Sequence, residues 1–190
     1  MKIEQKAFNI RKKFEGAPLD ELLLNSQEVA FATGVEAKSV QNWSTRELIV
    51  GHGGGGQRGC HRQFDWQNLM EVACAATLMD SGLSAPADAF RAARHLAHAG
   101  AGTTPNCQAT RHPGFPYHFE LGKTYLHVSG DRGCVMLHTS DTRPSEIETK
   151  LGRPVGYISL NVSAVFELVC ARLGLHPNTV LDQVYSKDSA

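Results

Sequence analysis

Two short helix-forming runs, separated by Thr-Gly-Val and followed by GHGGGGQRG, constrain this chain more than any other feature (SQEVAFATGVEAKSVQNWSTRELIVGHGGGGQRGCHR, residues 26–62). Ser26 is an N-cap candidate, and Glu28 places a negative charge against the positive end of the helix dipole. Val29 and Ala30 face inward in this reading, with Phe31 partly so. Gly34 supplies the left-handed or otherwise permissive backbone that a short interhelical turn requires. Val35, Val40 and Trp43 then pack the second helix against the first.

That arrangement leaves Lys38, Ser39, Gln41 and Asn42 on the outer side of the second helix. Asn and Gln suit bidentate contact with adenine, and Lys suits phosphate or guanine. An ordinary pair of helices with a solvated polar face fits the same residues. Leu48-Ile49-Val50 reads as a short strand, residues 51–59 as a loop, and 60–64 as a return in which Phe64 is buried. A glycine-rich tip lets backbone approach a phosphate closely, and His52, Arg58, His61 and Arg62 bring cationic groups to it. The plain alternative is a surface loop. Together these parts predict a winged helix-turn-helix.

The pattern S-x-E-V-A-x-x-T-G-V, then V-x-x-W-x-x-R-x-L-I, a basic wing ending R-x-F, D-W-x-x-L and finally G-L-S resembles the DNA-binding domain of MerR-type regulators and the related phage excisionases. The resemblance covers residues 25–98. It implies that residues 36–43 form a recognition helix, that Arg58 and Arg62 lie in a wing touching the DNA backbone, and that a dimer binds a two-fold symmetric site. Two positions depart from the family pattern. Asn42 and Trp43 stand where a tyrosine pair is common, and the helical pattern stops near His98, where a long coiled coil usually follows.

Charge is distributed to match. The chain is neutral overall, yet residues 38–62 carry +3 and residues 2–13 carry +4. Residues 100–190 balance at zero, so phosphate attraction is expected from the first half alone. No run approaches the roughly 18 apolar residues of a membrane span. No apolar core follows the basic start, so a signal peptide is not expected. Five cysteines at irregular spacing (60, 74, 107, 134, 170) do not make a disulfide framework, which points to a reducing, cytoplasmic setting.

Four segments are expected: a basic arm with a short helix near Asp20–Leu24 (residues 1–24), the DNA-binding unit (25–98), a Gly/Pro/Thr-rich linker (99–116) and a small α+β unit (117–190). Within the second, Asp65 caps a helix running to about Asp80 with Leu69, Val72, Ala73, Ala76 and Met79 in register. Ser84 caps the next, with Pro86 in its first turn and an Ala89, Phe90, Ala93, Leu96, Ala97 stripe that suits a core or a short dimer interface. In the last segment KTYLHV (123–128), CVMLHT (134–139) and VGYISL (155–160) read as strands, with SGDRG a hairpin loop. A helix capped by Asn161 or Ser163 runs to Leu173 and stops at Gly174, and Pro177 starts a final one.

Three roles fit that last unit. His112, His118, His127, Cys134, His138 and Cys107 suggest metal, and a Ser129–Arg132 loop sets His127 opposite Cys134; no compact metal-ligand spacing accompanies them, and ordinary strand histidines are the favoured reading. Tyr117, Phe119, Tyr125 and Tyr157 could line an effector pocket or simply form core. Dimerisation through the apolar helix 161–173 is favoured. Enzymatic motifs are missing: GHGGGGQRG lacks the lysine and hydroxyl of a phosphate-binding loop. The chain is therefore expected to be a mainly α winged helix-turn-helix unit joined to a small α+β unit, a sequence-specific transcriptional regulator binding palindromic double-stranded DNA as a homodimer. Lys38, Ser39, Gln41, Asn42, Thr45, Arg46, His52, Gln57, Arg58, His61 and Arg62 are its expected DNA contacts, with no cofactor, metal or catalytic residue. An excisionase-like architectural protein and a ligand- or metal-responsive regulator are the alternatives. RNA polymerase or a recombinase is the protein contact these roles imply.

Overall fold

The computed structural model describes residues 9–10, 12–14, 19–51, 62–101 and 110–186. The fold is mixed α+β. A 3-10 turn at Leu19–Glu21 leads into α1 (Ser26–Thr33), α2 (Ala37–Thr45), α3 (Trp66–Asp80) and α4 (Pro86–Ala97). A second 3-10 turn at Phe119–Leu121 precedes β1 (Lys123–Ser129), β2 (Arg132–His138), α5 (Pro144–Lys150), β3 (Ile158–Asn161), α6 (Val162–Leu173) and α7 (Pro177–Ser186). No helix among the described residues is long and apolar enough to cross a membrane.

Local chemistry explains most of the boundaries. α1 is capped one residue before the expected Ser26: Asn25 accepts from the Gln27 and Glu28 N–H groups while Glu28 reaches back to the Asn25 N–H. This reciprocal box satisfies more end groups than a lone serine can. Gly34 ends α1 at φ 80°, its N–H bonded to the Ala30 carbonyl. Asp65 caps α3, Asn161 caps α6, and left-handed Gly174 closes α6. The expected Ser84 cap is not used; α4 follows Ala85 without a side-chain cap, and Pro86 presets its first turn. The short helix expected near residues 20–24 is instead the 3-10 turn, after which Leu24 bridges Phe64.

The sheet has the order β2-β1-β3, antiparallel throughout. Gly130, at φ 59°, opens the two-residue β1–β2 loop, where a hairpin of this size tolerates glycine best. His127 lies opposite Cys134 and Val128 opposite Gly133, the register that the SGDRG loop dictates. The strand expected at 155–160 begins later, at Ile158. α5 has no counterpart among the expected elements, because seven residues with one buried side chain, Ile147, carry no readable stripe.

One core runs through both halves of the chain. It holds Val29 and Val40 from α1 and α2, Leu69 and Phe90 from α3 and α4, Leu126 and Val128 from β1, and Phe166 and Leu173 from α6. Aromatic rings join distant segments: Trp66 stacks on Phe115 at 5.4 Å and meets Phe166 edge-on at 6.0 Å. The described ends of the 99–116 segment are packed. Arg111 is buried and donates to the carbonyls of His95, Leu96, Ala99, His112 and Phe115, with no carboxylate beside it among the described residues. Three of those carbonyls lie at the C-terminal end of α4, where the helix dipole favours a cation.

The apolar stripe of α4 is core: Ala89, Phe90, Ala93, Leu96 and Ala97 are all fully buried. The expected dimer face of α6 is likewise consumed internally. Val162, Val165, Phe166, Val169, Cys170 and Leu173 are in the core, and only Leu168 stands out into solvent as a large apolar group. Helical amphipathicity states that a face is buried and not which surface buries it.

α6 also reaches the turn between α1 and α2. Arg172 donates to the Ala32 carbonyl at 3.4 Å, and its guanidinium lies where a Cβ on Gly34 would be. Gly34→Ala combines a left-handed penalty with displacement of Arg172, so a loss of about 1–2 kcal/mol or more in denaturant-unfolding stability is expected.

Candidate nucleic-acid interface

α1 and α2 are joined by residues 34–36 and held by Val40, which is fully buried, and by Val35 and Trp43 at the edge of the core. Trp43 packs edge-on to Phe90 of α4, with ring centroids 5.2 Å apart. With its apolar side committed, α2 presents Lys38, Gln41, Asn42 and Thr45 to solvent. Their spacing places them along one face. Ser39 is half-buried, and Arg46, the residue that ends the helix, is exposed.

Arg62 lies against this face. Its Nη1 donates to Ser44 Oγ at 2.6 Å and to Thr45 Oγ1 at 3.3 Å. Both partners are neutral, and no carboxylate among the described residues pairs with the guanidinium. Gln41 Nε2 donates to Ser26 Oγ at 3.3 Å, linking α2 to the start of α1. These residues, with Asn25 and Phe64, line a polar concavity of about 350 Å³. Gln41, Thr45 and Arg62 thus meet near the N-terminus of α1, and Lys38 and Asn42 continue the same exposed face of α2. His52, Gln57, Arg58 and His61 lie outside the described residues.

Asn25 and Ser44 belong to the concavity and were not among the expected contacts. Asn25 is legible in hindsight from the Asn-x-x-Glu spacing. Ser44 is fully buried, and nothing in the sequence marks it as the anchor of an arginine 18 residues away.

The stretch Leu48-Ile49-Val50 is not a strand; it is an irregular segment, with Ile49 buried. Its backbone groups are claimed by side chains. Asn68 Nδ2 donates to the Val50 carbonyl at 2.6 Å, and Arg94 Nη2 to the Leu48 carbonyl at 2.9 Å. The Val50 N–H donates to Glu71 Oε2 at 3.1 Å. Glu71 is fully buried, and it also receives Arg94 Nε at 3.3 Å and faces His98 Nε2 at 3.0 Å. The entry to the glycine-rich segment is therefore bolted to α3 and α4. Apolar β-branched residues favoured a strand locally, and polar side chains from distant helices outbid them.

The histidines of the last segment are dispersed. His118 pairs with Asp182 at 3.0 Å, and His112 packs its ring against Tyr185. His127 bonds to Ser159 Oγ at 2.7 Å and to His138 Nε2 at 2.8 Å, on the sheet face covered by α5. No group of three or more His, Cys, Asp or Glu among the described residues is placed to hold a metal ion, and Cys107 lies outside them. Burial, then His138 and Lys150, pull the His127 imidazole down from 6.5 to about 4. Burial also lowers His138, which Glu146 partly offsets.

No family model matches this chain, and no curated protein matches it.

Two outcomes follow from the buried polar groups. Glu71→Ala leaves the Val50 N–H without its acceptor and removes the charge partner of Arg94, so a stability loss of roughly 2–4 kcal/mol is expected in urea titration. His127 is uncharged in the folded protein down to about pH 4, whereas the unfolded chain takes up its proton near 6.5. Stability is thus full above that value and falls with decreasing pH across the window, by on the order of 2 kcal/mol. His127→Gln should flatten this acid limb in unfolding curves recorded from pH 7 to 4.

Proposed function

We propose that the chain is a sequence-specific DNA-binding regulator in which α2 enters the major groove of a palindromic site and a homodimer engages its two halves. The observation that carries this reading is the convergence of Lys38, Gln41, Asn42, Thr45 and Arg62 on one exposed side, with an arginine whose charge has no acidic partner among the described residues. A helix-turn-helix needs such a face: amide side chains to read base edges, cations to meet phosphate, and a rigid base behind. Trp43 on Phe90 and Arg172 on the interhelical turn supply that rigidity. The glycine-rich segment after Gly51 acts as the wing, and the sheet and its helices brace the reading head.

The test is selection of bound fragments from a random-sequence double-stranded library with full-length protein at near-physiological salt. An enriched palindromic motif is expected; weak binding without enrichment ends the regulator reading. On the selected site, Asn42→Ala should cost about 1–3 kcal/mol and relax preference at one base position. Arg62→Ala should weaken binding to all sequences alike and reduce the slope of log affinity against log salt by about 1.

A further inference from the structure

β2 is an edge strand of the kind that folded proteins normally blunt. Its interior, Gly133-Cys134-Val135-Met136-Leu137, contains no charge and no proline, and the β1–β2 register runs through it without a bulge. Ser129 and Arg132 flank a two-residue loop, so they exchange their backbone bonds with each other. Alternation then turns the N–H and C=O groups of Gly133, Val135 and Leu137 away from β1. No hydrogen bond from any described segment reaches them.

The core beneath this edge is also unfinished. Leu126 and Thr124 of β1 are fully buried, yet their neighbours across the ladder, Val135 and Leu137, remain partly exposed. An apolar layer that thins out at an open edge is continued when another strand is added there.

We infer that β2 pairs antiparallel with β2 of a second copy about a two-fold axis through Val135, joining two three-stranded sheets into one. The strand is complementary to itself in this register. Val135 faces Val135, and Gly133 faces Leu137, with about six backbone hydrogen bonds closing the ladder. The only charged side chain in the strand, Arg132, falls at its end, opposite the partner copy's His138, so no pair of like charges meets in the interior. A two-fold axis closes the assembly at two copies. The interface replaces α6, whose apolar face is spent in its own core. It does not rest on DNA binding, although a palindromic site calls for the same symmetry.

The experiment is sedimentation of the full chain without DNA, paired with cysteine crosslinking in a Cys134→Ser background. A dimer at tens of micromolar is expected. Val135→Cys should give a covalent dimer under mild oxidation, because facing residues of a hydrogen-bonded pair lie about 5.5 Å apart, within disulfide reach. Leu137→Cys should not, since the two copies' residues are then roughly 13 Å apart. Val135→Pro deletes one outward N–H without touching the β1 ladder and should shift the dimer to monomer with an unchanged circular-dichroism spectrum. Should that variant misfold, the crosslinking pair decides. A monomeric wild type, or equal crosslinking of both cysteine variants, overturns the interface whatever the DNA selection shows.

Discussion

A single buried carboxylate organises the half of the molecule that carries the candidate interface. Glu71 sits on α3 with no solvent exposure and gathers an arginine, an imidazole and a backbone N–H. Without those partners the charge could not stay in the core, since desolvation costs several kcal/mol per ion. Conversely, each partner is placed by it: Arg94 and His98 draw α4 onto α3, and Val50 fixes where the chain leaves toward the glycine-rich segment. Arg94 extends the hold to Leu48, and Asn68 to the Val50 carbonyl. Arg62 is held against α2 beside the Leu24–Phe64 bridge.

The two halves of the chain are interdependent for a related reason. Arg111 caps the open carbonyls of α4, the Trp66–Phe115–Phe166 rings fill the space between α3 and α6, and Arg172 covers the turn at Gly34. Sequence-distant side chains thus stiffen the α1–α2 pair from behind. Two short helices of eight and nine residues are marginal alone, so their geometry is borrowed from this packing.

Much of the first half is legible in the sequence. The αL glycine at 34, the inward Val29, Val40 and Trp43, the outward Lys38, Gln41 and Asn42, and the Asp65 cap all follow from rules spanning three or four residues. The His127–Cys134 register followed from loop length alone. Misreadings cluster where the deciding partner is far away. Val50 is irregular because Asn68 and Glu71 claim it, Leu24 pairs with Phe64 instead of ending a helix, and the stripe of α6 is covered by its own chain. Nor does the sequence name the partners of His127, favoured as an ordinary strand histidine, which are Ser159 and His138.

The sequence by itself determined most of the inward and outward side chains of α1, α2 and α4, because periodicity, caps and glycine conformations are local and act within a turn or a hairpin. It thereby settled the composition of the exposed α2 face. Only the tertiary structure decided that Arg62 reaches Ser44, that α5 covers the histidine pair, that α6 faces inward and that β2 lies at the edge of the sheet. These are matters of which surfaces meet, and an amphipathic stripe or a free arginine satisfies its chemistry equally well with any partner of the right character.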